Sequence, residues 1–593
     1  MIKKTMIGVI SLFSGLCFTH GQTLTNLTSD DVDVIASLAT SQQVGSDNGV
    51  AIFASVIDAD MTFTSDKNYI IKDTLFVTNG AKLTIEAGTR IFGASFENNG
   101  AITSDNKLGS IVVTRGAQID VLGEAKNPVL MTTVDTLEAE RGLDIDGVDS
   151  SGFAHQGAAV PATAPTRETA GRWGGLVVLG NAFVSNFTDT DTTPNNGGEV
   201  NLHEKSIEGF AAVGFDNNDG DNFSDIIEYG NSANSDPGTL AINNAESSGT
   251  IRYLSIRHGG FALSDGNEIN GLTLGGVGSG TTIEFVEVVS NEDDGVEFFG
   301  GTVNTNNLVV SFTKDDAFDI DNGHSGTHQF WFVIYDDTDG DHAGEWDGTE
   351  VNGDPGTTRY DGIGNSNPFI ANATFLDGGS SSTEAFRFDD RFDGLLVDSA
   401  IGDFGVDETY DNRSDGVGAN LLVTNNVFAG NNNESPSFAA NVYSTGLDLA
   451  GTSVAVPNGG LDPRPLPTSP LLSGDSDFSQ NPFLQDVDYR GAFAPDAPLW
   501  LECWTFLDEA GYLPAAPGSL GIVDCGFDQF GDFFIELAVA AAGSTVSAST
   551  DLSAFTPLTG GVSVNANTIT IDLDGLTPAS FLGQDKIFFQ VSQ

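Results

Sequence analysis

The 593-residue chain carries 83 Asp and Glu against 23 Lys and Arg, a formal charge of −60. Nucleic acid is a poor partner for such a surface, because phosphate binding depends on Lys and Arg releasing counterions. Charged residues are 18% of the total and hydrophobic residues 39%, with 41 Phe and 20 Pro, which excludes a disordered acidic chain, while 72 Gly suit short strands joined by tight turns and not a helical bundle.

At the N-terminus, Lys3 and Lys4 precede an apolar run over 6–18, and Thr19 and Gly21 supply small residues before a cut at Gln22. Residues 1–21 therefore read as a secretory signal peptide. The apolar run is shorter than the ~20 residues of a membrane-spanning helix, and no second candidate follows. Leu16 stands where a lipoprotein signal ahead of Cys17 has a small residue. The expectation is a secreted or outer cell-surface protein without a membrane-spanning segment. Residues 22–60 read as an N-terminal cap or linker.

Residues 61–435 show strand alternation and a repeat. Apolar residues alternate in 75–77, 83–85, 111–113 and 119–121, with Gly80, Gly88 and Gly116 at corners. An offset of 22 residues aligns Val286, Leu308 and Phe330, then Val288, Val310 and Phe332, then Ser290, Phe312 and Ile334. The same offset pairs Val296 with Phe318 and Phe298 with Ile320. Spacing at i, i+2, i+4 is that of a strand with one buried face. Short strands repeating at this length suit one coil of a parallel β-helix; leucine-rich repeats require a Leu and Asn framework that is absent, and propeller blades run to ~40 residues. The fold class expected is all-β: a right-handed parallel β-helix solenoid with polar insertions at 144–169 and 186–204.

Residues 436–528 read as an irregular wrap. It has a Pro- and Gly-rich stretch at 456–470 and an amphipathic helix over 500–511 that places Trp500, Trp504 and Leu507 on one face. Residues 529–593, alternating at 568–573 and 587–591, read as a small C-terminal antiparallel β module. Cys503 and Cys525 are the only cysteines beyond the signal peptide. In an exported protein such a pair predicts a disulfide, whose closed loop contributes on the order of 3 kcal/mol in the chain-entropy model; two buried thiols are the alternative.

Several strings are more specific than periodicity. SIRHGG at 255–260, NEINGLTLGGVGSGT at 267–281, DDGVEFFGGTVN at 293–304 and DDAFDID at 315–321 resemble a family of exported bacterial parallel β-helix surface proteins, as do GRWGGLVVLGNA at 171–182, LTIEAGT at 83–89 and DYRGAF at 488–493. The resemblance covers residues 68–512. It implies a secreted or surface solenoid, often followed by a C-terminal sorting or anchoring module, and brings no established catalytic residues. This C-terminus departs from the common type IX sorting domains.

Asp293, Asp315 and Asp337 recur at the coil period, each beside a second acid in Asp294, Asp316 or Asp336. Two carboxylates stacked ~4.8 Å apart repel by roughly 3–4 kcal/mol at an effective dielectric near 20. Protonation, a salt bridge or a cation relieves this. Calcium, a hard ion taking six to eight oxygens, is the expected cofactor. Asp337, Asp339 and Asp341 in DDTDGD, and Asp216, Asn218, Asp219 and Asp221 in DNNDGD, space oxygens around a Gly turn, without the glutamate that completes an EF-hand. Solvated acidic corners are the plain alternative.

Catalysis has less support. A lyase or glycosidase on this solenoid needs a base or a carboxylate pair, and Lys314, Arg257 with His258, and Arg387 with Arg391 are the available partners; His258 and His342 read more simply as satisfied structural histidines. DDAFDIDNGHSG echoes polygalacturonase, yet His324 lies on the same coil as Asp316. The reading is a calcium-stabilised adhesin- or matrix-like binding protein for extracellular glycans or cell-surface components; an extracellular polysaccharide lyase or glycoside hydrolase is the alternative.

Overall fold

The computed structural model describes side chains over residues 56–514 apart from 72, 95–108, 143–162, 187–203, 209, 211–225, 232–241, 262–268, 337–338, 349–364, 379–383, 403, 405–419, 431–439 and 475, together with backbone strands at the two ends. Residues 1–21, read above as a signal peptide, and most of both polar insertions lie outside the described residues.

Alternating apolar positions bring the short strands into register as successive coils of a parallel β-helix. One face is an 11-stranded sheet and the other two faces form a 19-stranded sheet. In the 11-stranded sheet Val296 pairs with Phe318 and Phe298 with Ile320, so the expected columns of this face are correct. Gly80, Gly88 and Gly116 turn corners with φ of 73°, 79° and 79°, a region open to glycine because it lacks Cβ.

The 19-stranded sheet becomes two faces because its strands bend at a column of left-handed residues. Tyr253 and Phe285 (φ 47° and 56°), Asn307 and Phe330 (56° and 59°), then Asn372, Asp398 and Asn425 all have positive φ. The register aligns Val286 with Leu308 and Val288 with Val310 as expected. The third rung differs: Val309 pairs with Phe332 and Val310 with Val333. Phe332 and Ile334 therefore occupy the neighbouring columns, because this coil is one residue longer than its predecessor.

The interior is an aromatic stack. Trp331 lies 4.0 Å from Phe318 at 12° and 5.7 Å from Phe298, and all three are fully buried. Each such side chain contributes ~1.5–3 kcal/mol of burial free energy.

One helix, Val134–Arg141, was not predicted; Thr133 caps it by accepting from the Asp135 N–H, and Gly142 ends it at φ 63°. The helix expected over 500–511 is one turn, Phe506–Glu509, capped by Thr505, because Cys503 takes a left-handed conformation at φ 78°. The wrap ahead of it is stitched to the solenoid: the Asn372 amide donates to the Tyr489 carbonyl at 2.9 Å, and the Ala492 N–H donates to Thr374 Oγ1 at 2.8 Å. Two antiparallel sheets follow, one of four strands beginning with Ile522–Phe527 and one of three ending with Phe588–Ser592. No helix among the described residues is long and apolar enough to cross a membrane.

Candidate cation site

Strands of the 11-stranded sheet point alternate residues outward. In Val296–Phe299, Phe318–Asp321 and His342–Asp347 the inward positions are apolar, and register stacks Glu297 on Asp319 and Asp319 on Glu345. The next rung of this outward column is Arg387. At the preceding corner Asp294 lies one coil below Asp316, whose own next-coil equivalent is His342.

These acids are buried. Asp293, Asp294, Glu297 and Asp316 expose 8%, 9%, 5% and 3% of their surface, although ionised carboxylates avoid such burial unless paired. Hydrogen bonds meet part of that demand. Asp294 Oδ1 accepts from the Asp316 N–H at 3.0 Å, and Asp316 Oδ1 accepts from the His342 N–H at 2.6 Å and lies 2.9 Å from His342 Nδ1. Each carboxylate thus ties its coil to the next. Arg387 donates to Glu345 at 2.6 Å, and Asn270 donates to Glu297.

What remains is crowded negative charge. Burial pushes the Asp294, Glu297, Asp316 and Asp319 carboxyls well above the usual range, and neighbouring acids push further: Asp293 on Asp294, Glu208 on Glu297, and Glu345 on both Asp316 and Asp319. Three groups bring ligand atoms within 4.8 Å of one another: Asp293, Asp294 and Asp315; Asp294, Glu297 and Asp319; and Asp316, Asp341 and His342. The first two share Asp294 and offer only carboxylate oxygens, the donor set of a hard cation such as calcium.

Asp293 and Asp315 are therefore brought together as expected. The third rung is Asp341, because the coil between Asp316 and its counterpart His342 is 26 residues long and not the expected 22. Asp336, expected beside the ladder, and Asp339, expected in the DDTDGD loop, are held by basic side chains instead. Asp336 pairs with Arg167 and Asp339 with Lys314, and burial together with Asp336 raises the Asp339 carboxyl to about 6 despite Lys314. Asp216, Asp219, Asp221 and Asp337 lie outside the described residues. Sequence reasoning missed Glu297 and Asp319, and read His342 as a structural histidine and not as a neighbour of the acidic corner. The signal for the two acids was present, since period-two alternation sets them between inward Val296 and Phe298, and Phe318 and Ile320.

Of the catalytic candidates, Arg387 stands in this column, while His324, His258 and Arg257 fall elsewhere. His324 and His328 are fully buried against Phe298 and Trp331, their Nε2 atoms 2.9 Å apart. His258 Nδ1 lies 2.7 Å from the Thr169 carbonyl oxygen. Arg257 bridges Glu509 at 2.8 Å and the buried Glu287 at 3.5 Å. Cys503 precedes the helical turn; the side chain of Cys525, and with it the predicted disulfide, lies outside the described residues.

Stacked parallel coils with an outward polar column define a parallel β-helix. The chain belongs to the family described as pectate-lyase like beta helix domain, which matches residues 55–150 and 224–444. No curated protein matches the chain in sequence.

Proposed function

We propose that the protein is an exported, surface-associated glycan- or matrix-binding solenoid whose coils are locked by calcium. The observation that carries this reading is the Asp294, Glu297 and Asp319 cluster. Three carboxylates from two adjacent coils converge within bonding reach of one ion, in surroundings that penalise their charge. Calcium there supplies charge neutralisation and ties coil to coil; Asp293 and Asp315 extend the same oxygen set. The long rigid scaffold then presents its outer faces to extracellular polymers, with export directed by residues 1–21.

A lyase is the second reading, favoured by Arg387 in the acidic column and His342 beside Asp316. The binding reading is preferred for two reasons. Arg387 is already engaged by Glu345, and among the described residues two well-formed cavities, of about 260 and 370 Å³, lie against the 19-stranded sheet and not against this column.

The deciding experiment offers neutral and anionic polysaccharides to the protein with calcium and with chelator, following both retention on immobilised polymer and release of reducing or unsaturated ends. Retention without product is expected. Catalytic release of unsaturated ends would overturn the binding reading in favour of the lyase, and absence of both retention and product would overturn both.

A further inference from the structure

The column of left-handed residues on the 19-stranded sheet doubles as an aromatic ladder with one rung changed. Tyr253 stacks on Phe285 at 4.5 Å and 7°. The next rung is Asn307 and the one after it Phe330, as the neighbouring registers Asn306 with Glu284 and with Gln329 fix. Phe285 and Phe330 thus stand two rungs apart, twice the ~4.8 Å strand spacing, with an amide where a ring would complete the stack. The C-terminal wrap roofs this interval and leaves a cavity of about 260 Å³ that both rings and Asn307 line.

Its chemistry is specific. Trp500, half-buried, lines the cavity with its indole N–H already donated to the Ala492 carbonyl at 2.9 Å, so it offers an aromatic surface and no donor. Asn307 is 7% exposed and makes no side-chain hydrogen bond among the described residues, leaving both amide atoms for a ligand. Gln485 and Arg464 add polar groups. Arg464 is held by Asp462 at 2.8 and 2.7 Å, which cancels its charge.

We infer that this slot is a binding subsite for one neutral sugar ring of a glycan, its C–H faces between the Phe285 and Phe330 rings and its hydroxyls on Asn307 and Gln485. The inference rests on the glycan-binding reading and names its ligand class. The volume lies just below that of drug-sized pockets, which limits the occupant to a small ring. A uronate is disfavoured because the single cationic lining residue is neutralised and the whole chain carries −60.

The test titrates neutral gluco-, xylo-, manno- and galacto-oligosaccharides and uronate oligomers into the full chain, reading tryptophan fluorescence and heat. Asn307→Phe restores the aromatic ladder and fills the slot, in a backbone conformation that Phe285 and Phe330 already adopt. At least one neutral oligosaccharide should bind, uronates at least tenfold more weakly, and Asn307→Phe should lose tenfold or more in affinity with an unchanged or higher melting temperature. Should that variant melt lower, Gln485→Ala, on an exposed residue, decides through a several-fold loss. Wild-type affinity in the folded variants, or binding of uronates alone, overturns the subsite. If immobilised polysaccharide still retains the protein in that case, the glycan reading stands and only the slot falls; failure of every saccharide overturns both.

Discussion

His324 and His328 show how single residues settle between catalytic and structural roles. With Nδ1 of His324 donating to the Gly300 carbonyl at 2.7 Å, its Nε2 accepts from His328, whose Nδ1 accepts from the Thr305 hydroxyl; Thr305 Oγ1 in turn accepts from the Trp331 indole. This relay requires both rings neutral. Burial lowers the His324 pKa from 6.5 to about 4, and lowers that of His328 well below 6.5 with His324 adding to the effect. A base depressed in the folded state contributes stability above its unfolded value and loses it as pH falls, so the relay weakens from about pH 6.5 down toward 4. The buried carboxylates run oppositely, their contribution being complete in acid and lost as pH rises. Urea unfolding of wild type and His328→Gln across this window isolates the histidine part, and the difference between them should shrink on acidification; a constant difference contradicts the relay. Trp331→Ala, removing a ring stacked 4.0 Å from Phe318, should cost about 3–5 kcal/mol in the same assay.

Among the elements, the helical turn Phe506–Glu509 depends on the solenoid for its start. Both oxygens of Glu287, fully buried, accept from the Phe506 N–H at 2.8 and 2.9 Å, and one accepts from the Ser255 hydroxyl at 2.5 Å. Burial pushes this carboxyl to about 7 even though Arg257 opposes it. Glu287→Ala removes the acceptor, and with hydrogen bonds to charged groups worth ~1.5–3 kcal/mol it should loosen the wrap enough for limited proteolysis to separate it from an intact solenoid. Non-reducing peptide mapping should recover a Cys503–Cys525 cross-linked peptide; two alkylatable thiols would contradict that pairing. The coils were legible from sequence wherever length stayed constant, as at Val296 with Phe318. One added residue before His328 and four before His342 shifted the third rung, and nothing local to Phe330 or Asp337 signals such a shift. Helix Val134–Arg141 escaped because only Val134, Leu137 and Ala139 are apolar in it, too few to display a 3.6-residue period, although Thr133 and Gly142 are good caps. The spacing of His324 from Asp316 argues against a catalytic role, but its burial inside the stack, a property of three dimensions, was not legible.

For the whole molecule, with a charge of −60 concentrated partly in buried columns, calcium held as proposed makes folding and cation binding one equilibrium. An ion that binds only the folded coils adds RT ln(1 + [L]/Kd), about 2.7 kcal/mol at a hundredfold excess over Kd, which in a chain of this size amounts to about 2 °C of melting temperature. Asp319→Asn keeps the shape of the cluster while removing one charge, so without calcium it should be at least as stable as wild type. Calorimetric melting of wild type and Asp319→Asn, each in millimolar calcium and in chelator, reads this directly. The wild type should melt about 2 °C higher in calcium and the variant should lose most of that increment; equal melting of the wild type in calcium and chelator, or an undiminished increment in the variant, would contradict a cation held by the carboxylate column.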